Sequence, residues 1–127
     1  VANAERLLDV LTFLEVHPDR HDQNYWVLRR ACGTVACLAG WAALRNGYVE
    51  SYSSEDPSYF RGVYRSDDPH QELRAIRNVA EEVLDLTPEE GDLLFDYCNG
   101  IQDLWRIVNE ITDGEVGRLR ARDAVTT

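Results

Sequence analysis

The chain has 127 residues, 44% of them hydrophobic and 28% charged, which is enough apolar material for one domain with a core. Thirteen arginines, no lysine and twenty-three carboxylates give a formal charge of −10. That balance excludes chemistry needing an ε-amine, from Schiff-base catalysis to the P-loop, and argues against direct nucleic-acid binding, because phosphate contacts require a basic face.

In chain order, the first predicted helix runs from about Ala4 to Val16. Leu7, Val10, Leu11 and Leu14 line one face, Asn3 is placed to cap the start, and Pro18 forces the end. A polar stretch from His17 to Asn24 leads to Tyr25-Trp26-Val27-Leu28, readable as a short helix or an extended link. Arg29 and Arg30 then face solvent or pair with the acidic half of the chain.

The next segment, Val35 to about Arg45, is apolar on every side and is predicted to be a central buried helix. Thr34 is its expected N-cap, and Asn46-Gly47 its end. Ala36, Gly40 and Ala43 form a strip almost without side chains, against which another helix is expected to pack closely. The longest uncharged apolar run, Val35 to Leu44, is about half a membrane span, so no membrane partner is expected.

Residues 48–68 are rich in Tyr and Phe among Ser, Asp, Glu and Gly. Tyr48–Tyr52 and Phe60–Tyr64 read either as a small hairpin or as an ordered loop. Helical patterns resume at Asp68-Pro69, with Leu73, Ile76, Ala80, Val83 and Leu84 as the buried stripe. Thr87-Pro88-Glu89-Glu90 is a capping box that opens a short helix with Leu94, Phe95 and Cys98 inward. Ile101, Leu104, Trp105, Val108 and Ile111 define another helix, broken at Asp113-Gly114. A last turn reaches about Arg122, and the tail is expected to fray from about residue 120. The pattern predicts an all-α single domain of five or six helices around the central apolar helix, with an aromatic loop or small β-hairpin inserted.

Two regions carry candidate chemistry. In Cys32-Gly33-Thr34-Val35-Ala36-Cys37, a thiol placed before a helix start has a lowered pKa. His17 or His21 would be its base and Asp22 the orienting group, giving a cysteine-dependent hydrolase or transferase. His17, His21, Cys32 and Cys37 also have the donor types of a structural zinc site, although Pro18 interrupts the histidine turn. A Cys32–Cys37 disulfide is a further alternative. Against these stands a plain structural role, in which the thiols act as small apolar side chains, no cofactor is needed and nothing is catalysed.

The second region is acidic. Eleven carboxylates and one arginine, Arg106, lie between Glu81 and Glu115. Such a face is solvated surface or a docking surface for a basic partner. The docking reading assigns Glu89, Glu90, Asp92 and Asp96 as carboxylates, with Tyr52, Tyr59, Phe60 and Tyr64 as apolar anchors.

Cys32-Gly33-Thr34-Val35-Ala36-Cys37-Leu38-Ala39-Gly40-Trp41 resembles a segment shared by small actinobacterial and actinophage proteins, Cys-Gly-Thr-x-x-Cys-x-Ala-Gly-Trp. His17-Pro18, Gln23 and Trp26 upstream, and Leu86-Thr87-Pro88-Glu89-Glu90 with Leu93-Leu94-Phe95 downstream, extend the likeness over about residues 5–111. The resemblance implies a phage-type accessory protein and transfers no activity. Combined with the acidity, it leads to the expectation of a cytoplasmic protein that binds a basic surface on a host or phage protein, as an inhibitor of a host factor or of a defence system. The odd cysteine count and the lack of a signal-peptide pattern support that compartment.

Overall fold

The computed structural model describes residues 1–30 and 33–126. The expected all-α architecture is corrected: within these residues the fold is mixed, six helices and two antiparallel two-stranded sheets. The order is α1 (Ala4–Val16), β1 (Val27–Arg30), β2 (Gly33–Ala36), α2 (Leu38–Leu44), β3 (Tyr48–Tyr52), β4 (Phe60–Arg65), α3 (Ile76–Leu84), α4 (Pro88–Leu94), α5 (Ile101–Ile111) and α6 (Glu115–Thr126), with a single 3₁₀ turn at Pro18–Arg20. None of the described helices is long and apolar enough to cross a membrane.

The first sheet accounts for the largest departure from the sequence expectation. Val35 and Ala36 belong to β2, and α2 begins only at Leu38 with Cys37 as its N-cap. Val27 faces Ala36, and Leu28 faces Val35. A short apolar run has no periodicity to separate strand from buried helix, and the β-branched Thr34 and Val35 fit a pleated strand. Thr34 is therefore not a helix cap. Its hydroxyl donates to Glu50 Oε1 at 3.0 Å and ties β2 to β3.

α2 is buried along nearly its whole length. The small-residue helix α2 packs closely on α3, and at Gly40 the strip also admits a close approach of backbone. A Cβ on Gly40 would lie 1.9 Å from the Trp26 carbonyl oxygen and 2.7 Å from Ala36 Cβ. Gly40 is the residue that lets the 25–27 segment lie directly on α2.

The second sheet adopts the hairpin alternative, with Tyr48 opposite Arg65 and an irregularity at Ser51/Tyr52. Its outer strand β4 is bonded to the approach to α3, Arg74 N–H to Val63 O at 2.8 Å and the reverse at 3.0 Å. That approach is not helical from Asp68. The Asp68 carboxylate accepts the N–H groups of His70 and Glu72, and Gln71 sits at φ +52. Side-chain acceptance of local amides competes with the helix here, so α3 starts at Ile76 and Leu73 is exposed rather than part of the buried stripe.

The remaining helices follow their patterns. Leu7, Val10, Leu11 and Leu14 of α1 join Val79, Ala80, Leu84, Leu94, Leu104 and Val108 in one core cluster. Asn3 caps α1 through Arg6 N–H, and both halves of the Thr87/Glu90 capping box form at α4. Cys98, expected inward, is exposed. α6 continues as helix through Thr126. Glu15 fastens α6 to α1 and α5: it accepts Trp105 Nε1–H at 2.6 Å and pairs with Arg120 at 2.9 Å, while Arg120 lies 3.9 Å above the Trp105 ring.

Candidate functional site

Cys32, on which the enzyme expectation turns, lies outside the described residues. The groups proposed to serve it are committed to other contacts. His21 Nε2 lies 2.8 Å from Gln23 Oε1. An amide oxygen only accepts, so Nε2 carries the proton and donates it. The same oxygen accepts Leu38 N–H at 3.3 Å, and Gln23 Nε2 donates to Leu94 O at 2.9 Å. His21 is thus part of a buried polar bridge that joins the start of α2 to the end of α4. Asp22, expected to orient a histidine, instead pairs with Arg30 at 3.2 Å and accepts Asn24 N–H. His17 is exposed and packs its ring 4.8 Å from that of Phe13.

Cys37 is buried, and burial pushes its thiol up to about 11. It is therefore neutral at physiological pH and poorly suited to nucleophilic attack. Among the described residues, no three His, Cys, Asp or Glu side chains gather to hold a metal.

The residues assigned to partner binding fall on two separate parts of the surface. On the hairpin, Tyr52 is half-buried, edge-on to Phe60 at 5.9 Å, with the Arg29 guanidinium 4.0 Å from its ring centre. Burial raises the Tyr52 hydroxyl above its ordinary value. Tyr64 is also half-buried, and Tyr59 is exposed. Much of this aromatic surface is engaged within the hairpin and with β1. On α4 and the turn after it, Glu89, Asp92 and Asp96 are exposed, while Glu90 is spent on the capping box.

Asp92 and Asp96 line a cleft of about 360 Å³ together with Tyr25, Trp26, Phe95 and Tyr97, none of them on the hairpin. Tyr25, Trp26 and Tyr97 are 46%, 42% and 67% exposed. Trp26 stands edge-on to Phe95 at 6.2 Å. The 25–26 side is held by Cys37 N–H donating to Tyr25 O at 2.8 Å and by the Gly40 contact. The opposite side is held by Asp96 Oδ1, which accepts Cys98 N–H at 2.8 Å, and by Asn99 Nδ2, which donates to Leu93 O at 2.7 Å. Arg77 also borders the cleft, but its guanidinium is occupied by Asp92, Glu81 and the Pro88 carbonyl.

Sequence reasoning found the two carboxylates and missed their aromatic companions. A signal was present: Tyr25 and Trp26 are adjacent, in a polar stretch with no helical period, so one packed face is hard pressed to bury both. Buried Gln23, which supports the cleft from below, has no sequence signal at all.

No known protein family, curated protein or solved structure matches the chain.

Proposed function

We propose that this protein is a non-catalytic binding protein, and that the cleft edged by Tyr25, Trp26 and Tyr97 and by Asp92 and Asp96 is its docking face for a basic segment of a partner protein. The observation that carries the reading is the gathering, around one concavity with two carboxylates, of three of the four exposed aromatic rings among the described residues. Aromatic side chains in a concave, partly desolvated site supply most of the binding energy of typical interfaces. A strongly negative chain steers a positive partner towards them. Under the phage-type resemblance of the 32–41 segment, the partner is a host protein and the effect is occlusion of its basic surface.

The test is selection from a displayed peptide library on the immobilised protein. Selected peptides are expected to carry arginine or lysine beside an apolar residue. They should weaken as added salt shortens the screening length below its physiological ~8 Å, and lose binding to Tyr97→Ala. Peptides that bind the wild type and Tyr97→Ala equally well would remove the cleft from the function.

A further inference from the structure

We infer that the cleft recognises one cationic side chain, a guanidinium, and so reads a single arginine in the partner; this rests on the docking reading above and names its ligand. The charges around the cavity are not equivalent. Arg77, its one cation, is held by Asp92, Glu81 and a backbone carbonyl, so it has little left to offer an incoming anion. Asp92 is taken up by Arg77 in the same way.

Asp96 differs. Its Oδ1 accepts the Cys98 amide, and among the described residues no cation pairs with it. A carboxylate in this state has a free oxygen facing solvent beside three exposed rings. That combination suits a flat cation, which stacks on an aromatic face while one edge donates to the carboxylate. Arginine fits better than lysine, because the planar fork permits stacking and a directed bond at once, whereas an ammonium is a hydrated point charge. At about 360 Å³ the space lies near the lower end of ligand-site sizes, in keeping with one long side chain and its flanking backbone.

The experiment is an NMR titration of the isotope-labelled protein with N-acetyl-arginine methylamide, and in parallel with the citrulline analogue, which keeps the shape and loses the charge. The arginine probe is expected to shift the Trp26 indole N–H and the amides of residues 95–97 saturably. The citrulline probe, and arginine with Asp96→Asn, should bind about tenfold more weakly, the value of one charge-assisted contact. Asparagine still offers an oxygen to the Cys98 amide, so the variant tests charge with the turn intact. Equal affinity for arginine and citrulline overturns the inference. So do arginine shifts that spread over the acidic surface without saturating.

The two readings fail separately. Selected peptides that lack arginine yet lose binding to Tyr97→Ala keep the docking face and sink the arginine assignment. Saturable arginine binding in the cleft, with every selected peptide indifferent to Tyr97→Ala, keeps the cation site and sinks protein docking.

Discussion

Helices α2 and α4 are both seven residues long and are built by opposite means. In α2 all residues but Leu44 are buried, and no side chain of its own caps the start. In α4 only Gly91 and Leu94 are buried, and a complete capping box opens it. A helix this short is unstable alone. α2 is therefore formed by what packs around it, and α4 is assisted by its own first turn. Burial leaves α2 no surface with which to meet a partner, whereas α4 keeps Glu89 and Asp92 in solvent. Gln23 connects the two, with one end on the first amide of α2 and the other on the last carbonyl of α4.

Gly40→Ala strikes hardest at this arrangement. The substitution gains about 1 kcal/mol of helix propensity and places a methyl group 1.9 Å from the Trp26 carbonyl oxygen. The carbonyl is backbone, and the other close neighbour, Ala36 Cβ, has no torsion with which to turn aside, so relief requires moving the 25–27 segment off α2. A net loss of about 4 kcal/mol is expected in urea denaturation, at the severe end for a single substitution. Because Trp26 lines the cleft, its indole resonance should also move. A variant of near wild-type stability would mean that the close approach is absent.

How far the sequence revealed this fold follows the same division. α1, α4 and α5 announce themselves through local signals, namely an apolar stripe, an Asn3 cap and the Thr87/Glu90 box; α1 and α5 appear where the pattern puts them, and α4 begins there but ends at Leu94, short of Cys98. The 33–45 region has no such signal. Its residues are apolar whichever way they point, so whether Val35 is strand or helix depends on its partner Leu28, found only in three dimensions. The 68–75 region misled for a different reason: Asp68-Pro69 matches a helix start, but the Asp68 carboxylate bonds amides in a turn instead. At the cleft, the carboxylates were legible from charge density alone. Two of the aromatics facing them, Tyr25 and Trp26, come from a segment about seventy residues away, brought over by Gln23 and Gly40.

The thiol of Cys37 gives the next effect. Its pKa is 9.0 unperturbed and about 11 in the fold, because burial disfavours the thiolate. Below pH 9 the thiol is protonated in both folded and unfolded chains, and this contribution to stability is complete. As pH rises from about 9 to about 11, the unfolded chain sheds its proton first, so stability falls by up to about 3 kcal/mol. The readout is the pH slope of unfolding free energy relative to Cys37→Ala, which should lack this component. Iodoacetamide at neutral pH should modify exposed Cys98 and leave Cys37 untouched until the chain unfolds. Rapid alkylation of Cys37 in folded protein would contradict its burial.

Gln23→Leu keeps most of the volume and removes the bridge. Leu38 N–H and His21 Nε2–H then lose their common acceptor, and Leu94 O keeps only the longer contact from Asn99 at 3.3 Å. Buried groups left unsatisfied in this way cost about 2 kcal/mol together. Hydrogen exchange should show the loss at both ends of the bridge, with faster exchange at the start of α2 and the end of α4. Acceleration at only one end would mean that the two helices are not coupled through this side chain.

Thr87→Ala has the smallest effect and separates α4 from α2 most sharply. The threonine hydroxyl accepts Glu90 N–H at 3.2 Å, and Glu90 Oε1 returns a bond to Thr87 N–H at 2.9 Å. Alanine abolishes the first and leaves the second, a loss of about 1 kcal/mol. The damage should stay in the opening turn, because the far end of α4 is held independently by Gln23 and Asn99. Faster exchange is expected for residues 89–91, with the resonances of Trp26 and residues 95–97 unchanged and arginine binding retained. If removing the cap also weakens the arginine probe, the cleft depends on the whole helix rather than on its C-terminal end.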